Sequence, residues 1–197
     1  MMQCLADGYF ILPQTVAHYL ARLNEQRLEA SHEAFAAAGR DVRERVSRLL
    51  GVNGSTPPSR FHRELGNVML DACGMARNPE RLTKALEQIP QIREAFWRDL
   101  KVGGDGESLN QSLEYAGRVA DFLEFGELVA LDALARDESC GCHFREEHQT
   151  PDGEAVRDDD NWAHVAIWEW AGEGQEPIRH TEELAFKDIT PKARNYQ

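Results

Sequence analysis

Cys140-Gly141-Cys142-His143, with His148 five residues on, gathers four soft donor side chains into one short stretch. Thiolates and imidazoles of this kind hold transition metals. The spacing argues against it, because zinc sites usually place two or more residues between paired cysteines. A tight turn without metal is the expectation. Arg157-Asp158-Asp159-Asp160-Asn161-Trp162 has the charges for an anion, metal or acid–base site, but a carboxylate run ahead of a strand ordinarily marks a solvated turn. Of His18, His32, His62, His164 and His180, none stands with a Ser or Cys in a nucleophile motif. Trp162, Trp168 and Trp170 offer rings for stacking, yet Trp168 and Trp170 at period two fit one face of a small sheet. No Gly-rich phosphate cradle is present in the sequence. Read alone, the residues define no catalytic, cofactor-binding or metal-binding site.

The elements that must carry these groups are mostly helical. Pro13 suits a first helical turn, and Val16, Tyr19, Leu20 and Leu23 recur behind it at helical spacing. Ser31 is positioned to cap a second helix with a stripe of Phe35, Val42, Val46 and Leu49, stopping at Gly51. A third starts after Pro57-Pro58 with Phe61, Leu65, Val68, Met69, Ala72 and Cys73 on one face, ending near Gly74 and Asn78-Pro79. A fourth follows with Leu82, Leu86, Ile89, Ile92, Phe96 and Leu100, bent or locally broken by Pro90. From Ser108, with Gln111 completing a capping box, a fifth runs to about Arg136 and is interrupted near Gly126. Beyond Glu138 two strands are expected, Trp162 to Trp170 and Glu183 to Phe186. The fold class expected is mainly α: an antiparallel three-helix bundle from about residue 58 to 137, preceded by one or two helices and followed by a small β-containing C-terminal tail.

The 197 residues hold 22 Lys and Arg against 34 Asp and Glu, a net charge of −12. With no basic run, a nucleic-acid partner is excluded, since neutralising phosphates takes clustered cations. Acidic membrane surfaces are disfavoured likewise, and no apolar stretch approaches the roughly 20 residues that span a bilayer. Leu5 to Leu12 carries Asp7 and lacks a basic lead, so it does not read as a secretory signal. The cysteines at 4, 73, 140 and 142 show no framework spacing, and Cys140 and Cys142 are too close for an easy disulfide, so all four read as reduced thiols of a soluble, cytosolic chain.

The run Arg136-Asp137-Glu138-Ser139-Cys140-Gly141-Cys142-His143-Phe144-Arg145-Glu146-Glu147-His148 resembles a signature of the flavoprotein subunits of succinate dehydrogenase and fumarate reductase. Many members read Glu-Ser-Arg-Gly-Ala-His there, and one bacterial branch has Cys where Cys140 stands. Cys142 departs from the usual Gly or Ala. Arg157-Asp158-Asp159-Asp160-Asn161-Trp162 resembles the family's Arg-Asp-Asp-Glu-Asn-Trp, and Lys192-Ala193-Arg194-Asn195-Tyr196 its ending. Gly66-Asn67-Val68-Met69 and Gly74-Met75-Ala76-Arg77 fit its helical domain, and Gln3-Cys4-Leu5-Ala6-Asp7-Gly8-Tyr9 is similar to the stretch after its Gly-Ala-Asn-Arg-Leu-Gly motif. L-aspartate oxidase has a similar helical domain, but Phe144 to His148 and the ending fit the dehydrogenase branch better.

That resemblance implies a C-terminal fragment. Residues 1–28 would be the last helix of the FAD-binding domain and a linker, 29–137 the helical domain, and 138–197 the tail. The family's dinucleotide-binding glycines, flavin-linking His and catalytic residues lie upstream of the matched region. The resemblance therefore implies FAD in the intact subunit, none on this fragment, and no catalytic residue here. Its partners would be the FAD-binding domain of the same subunit and an iron–sulfur subunit, at the cytoplasmic side of a bacterial inner membrane without insertion. The fragment would dock on the flavin domain, with the first helix directing its positive end toward the flavin, and would be prone to self-association. Arg136, Glu138, His143 and Arg145 are the expected interdomain contacts; local turn hydrogen bonds are the alternative for the same four. A free-standing helical interaction module without flavin chemistry is the alternative for the whole chain.

Overall fold

A computed structural model describes residues 2–23, 28–172, 174–190 and 192. The chain divides into two compact units, Met1–Glu44 and Arg45–Gln197, with the boundary inside one helix.

In the first unit the chain is helical well before Pro13. Helix α1 (Met2–Ala6) passes through a π-helical segment, Asp7–Ile11, into α2 (Leu12–Arg22). Pro13 has no N–H and its ring would crowd a normal helical carbonyl four residues back. The wider turn, closed by the Leu12 N–H donating to the Asp7 carbonyl, accommodates it. So Pro13 stands in the first turn of α2, as expected, within a helical course that starts earlier. The stripe of Val16, Tyr19, Leu20 and Leu23 is exposed, together with Tyr9, Phe10, Ile11 and Leu12. Helix α3 (Glu33–Gly51) starts with the His32 ring accepting from the Ala34 N–H at 3.2 Å, in place of the expected Ser31 cap.

The second unit contains the core. Helices α4 (Pro58–Cys73), α5 (Pro79–Asp99) and α6 (Gln111–Ala135) each pack on the other two. Phe61 near the start of α4 meets Phe96 near the end of α5, with ring centroids 5.4 Å apart. His62 of α4 meets Tyr115 at the start of α6, Nδ1 to Oη, 2.6 Å. Thus α4 and α6 run parallel and α5 runs against both, the expected up-down-up bundle. Leu82, Ile89, Phe96, Val119 and Leu123 are wholly buried, and Leu49 from the end of α3 joins them.

Helix α5 shows no break at Pro90, the second of the two outcomes expected there. Two further local expectations fail for tertiary reasons. Helix α6 runs unbroken through Gly126, where an added Cβ would lie 3.3 Å from Leu65 Cδ1 and Met69 Sδ, so this glycine serves close packing of α4. The cap of α6 is Asn110, whose Oδ1 accepts from the Leu113 N–H while its amide also donates to the Gly103 and Asp105 carbonyls. Ser108 bonds Asp105 instead.

Downstream, β1 (His164–Glu169) pairs antiparallel with β2 (Ile178–Glu183), Ile167 opposite His180. The second strand ends where Glu183 to Phe186 was expected to begin. Register is set by pairing with β1, and Ile178–Glu183 lacks the apolar alternation that marks a strand. The Trp168 indole ties the hairpin to α6 by donating to Asp132 at 2.7 Å. Among the described residues no helix is long and apolar enough to cross a membrane.

Candidate functional site

The four residues singled out by sequence, Arg136, Glu138, His143 and Arg145, fall in one network where the tail meets the end of the bundle. Helix α6 ends with no basic residue in its last turn, leaving carbonyls without helical partners and a partial negative charge. Arg145 comes from the tail to fill that need. Its Nη1 donates to the carbonyls of Ala133, Leu134 and Arg136 at 3.0, 3.3 and 3.1 Å, and its Nε to Glu147 at 2.7 Å. Only 3% of its side chain is exposed.

Glu138 is equally buried and bridges two segments. One oxygen takes the Arg136 guanidinium and the other accepts from the Asp158 N–H at 2.9 Å. Asp158 in turn caps the short helix α7 (Asp159–Trp162), and Arg157 pairs with Asp159. The acidic run is therefore a capped turn fastened to Glu138.

His143 sits between Arg136 and Arg77. Its Nε2 lies 2.9 Å from the Arg136 carbonyl, which accepts only, so the ring proton is on Nε2 and Nδ1 accepts from Arg77 Nη1 at 2.9 Å. Burial holds its pKa below the usual imidazole value. The hydrogen bond to the Arg136 carbonyl opposes that shift, and the charges of Arg77, Arg145 and Arg136 add to it. The ring is neutral and works as a two-sided strut.

Two members escaped the initial selection, although both stand in the quoted motifs. Ser139 is fully buried; its Oγ accepts from the Arg145 N–H at 2.8 Å and donates to the Arg145 carbonyl at 3.2 Å. Arg77, in the turn after α4, exchanges backbone hydrogen bonds with Phe144 and Glu146 besides holding His143. Glu146 also takes Asn78 and Arg81 at 2.7 and 2.5 Å, and the Asn78 bond leads the causes that lower its pKa. The corner between α4 and α5 is thus fastened to the tail.

Cys140, Cys142, His143 and His148, where a turn without metal is the expectation, are not gathered around one point among the described residues. Among the described residues, the one acidic and imidazole group close enough for a shared ion is Asp137, Glu147 and His148, without Cys140, Cys142 or His143. There the Arg145 guanidinium already reaches both carboxylates. The starts of α5 and α6 are closed by Asn78 and Asn110, and α4 begins on Pro57-Pro58.

The arrangement is a folded junction that fastens the tail to the bundle. The family described as fumarate reductase flavoprotein C-term matches residues 62–196, and the chain belongs to it. The fumarate reductase flavoprotein subunit of Escherichia coli K12 is 31% identical over 166 residues, covering 84% of this chain and 23% of that protein. The succinate dehydrogenase flavoprotein subunit of Bacillus subtilis is 21% identical over 196 residues, covering 32% of that protein. A solved E. coli quinol fumarate reductase FrdA, carrying a point mutation, superposes with a TM-score of 0.70 at 25% identity over 86% of this chain and 27% of its own. The chain spans about a quarter of the length of the curated relatives it matches.

Proposed function

We propose that this chain is the non-catalytic C-terminal part of a flavoprotein subunit that interconverts succinate and fumarate, and that it docks on and stabilises the flavin-binding part. The observation that carries this is the match to FrdA over most of this chain and only a quarter of that one. In this reading residues 1–28 end the flavin domain, 29–137 are the helical domain and 138–197 the tail. FAD supplies hydride acceptance in the intact subunit, and the residues that hold it lie outside this chain. Electrons then pass to an iron–sulfur subunit and a quinone at the cytoplasmic side of a bacterial inner membrane.

Arg136, Glu138, His143 and Arg145 were expected as interdomain contacts or as local turn bonds, and their polar atoms, all engaged within the chain, support the local reading. The exposed apolar stripe from Tyr9 to Leu23 supports a covering partner for the first unit, and with that partner missing it promotes self-association. The test uses the purified chain mixed with FAD, followed by flavin fluorescence after desalting and by dye-coupled succinate oxidation. No retained flavin and no turnover are expected. Stoichiometric flavin with turnover would overturn the reading.

A further inference from the structure

Cys140 and Cys142 remain unexplained by the junction, and Cys142 stands where the resembled family has Gly or Ala. Both are free thiols, Cys142 exposed and Cys140 partly buried. They flank Gly141, which has φ +63°. The Cys140 N–H donates to the His143 carbonyl at 2.8 Å, and the His143 N–H returns the bond to the Cys140 carbonyl at 3.0 Å. This is a two-residue hairpin loop with glycine at its first central position, as a type II′ turn requires; Cys142 is not among the positive-φ residues.

The turn changes the reach between the two thiols. In an extended chain, residues two apart are separated by about 7 Å. A closed turn shortens that toward the window of roughly 4.4 to 6.8 Å in which disulfides form. Arg157 is held mainly by Asp159, and Cys140 lies near enough to add to the rise in its pKa. Cys73, by contrast, is on α4, where burial raises its thiol pKa despite the opposing charge of Arg77.

We propose that Cys140 and Cys142 form a redox-active dithiol that closes to a disulfide within the loop when it meets a hydroperoxide. The exposed Cys142 thiolate attacks the peroxide: the O–O bond breaks, an S–O bond forms, and the leaving oxygen departs as water or an alcohol. Cys140 then attacks the Cys142 sulfenic sulfur, forming the S–S bond and releasing a second oxygen as water. The two sulfurs together lose two electrons and the peroxide gains them. A bond across so short a loop is strained, which places it with the easily reduced, labile disulfides and not the structural ones. This inference stands apart from the docking reading, since it rests only on the loop.

Trypsin cuts after Arg136 and Arg145, so one peptide, 137–145, holds both thiols and no other cysteine. The full chain is treated with equimolar hydrogen peroxide, alkylated, digested and weighed. The expected result is a peptide lighter by about 2 Da, the two hydrogens a disulfide sheds, that resists alkylation until dithiothreitol is added. Cys142→Ser should abolish this product and leave Cys140 fully alkylated. Full alkylation of both thiols in the wild type, oxygen added to Cys142 alone, or a cross-link from this peptide to Cys4, Cys73 or another chain would overturn the proposal.

Discussion

Arg145 holds a permanent charge at a position where almost none of its side chain meets water. That is tolerable because every face of the guanidinium has a partner: three carbonyls at the end of α6 on one edge, Glu147 and Asp137 on the other. Replacing it by methionine keeps the volume and strands those partners. Arg145→Met should lower the urea unfolding free energy by about 2 kcal/mol, since it leaves the carbonyls at the end of α6 without their donor while Asp137 and Glu147 keep contact with water; an unchanged midpoint would contradict the assignment. His143 gives a second expectation, with a defined sign. Its folded pKa is lowered, so the unfolded chain binds the proton first as pH falls through about 6.5, and stability drops from there down to the folded pKa. Asp137 and Glu146, whose lowered pKa values have His148 and Asn78 as leading causes, contribute only at lower pH. Urea midpoints should therefore fall between about pH 7 and pH 5 in the wild type, and His143→Gln should flatten that slope. The four residues were legible because they crowd one motif. Arg77 was not, because its partners Phe144, Glu146 and His143 lie far along the chain, and Ser139 was not, because an uncharged hydroxyl carries no mark of the two bonds it makes to Arg145 six residues on.

At the scale of elements, the apolar stripes of α4 and α5 were readable from periodicity, and the residues named for them face inward, joined by Ala85, which was not named. Ends and interruptions were not, because neighbours decide them. Asn110 outcompetes Ser108 as a cap since its amide also closes the preceding loop, and Gly126 is needed for packing where its sequence position suggests a break. Gly54 is the sharpest such case. The strand-like crossing of Thr56 on Leu100 brings backbone so close that a Cβ on Gly54 would lie 2.2 Å from the Asp99 carbonyl carbon. Gly54→Ala should destabilise the second unit by about 2 kcal/mol, as overpacking against immovable backbone does. A thermal midpoint equal to wild type would show that the crossing yields.

At the scale of the molecule, the second unit has a closed apolar core and a tail fastened to it by buried charge, while the first exposes its apolar stripe. Periodicity placed that stripe correctly on a helix but is silent on what covers it, since a covering surface leaves no trace in the sequence it covers. The central claim is that this chain works as the C-terminal part of a larger flavoprotein subunit. An immunoblot of fractionated source cells, with antibody raised against this chain and flavin fluorescence read on the same gel, tests it most directly. The account predicts a flavin-bearing band far above 22.3 kDa that sediments with membranes. A flavin-free band at the chain's own mass in the soluble fraction would contradict it.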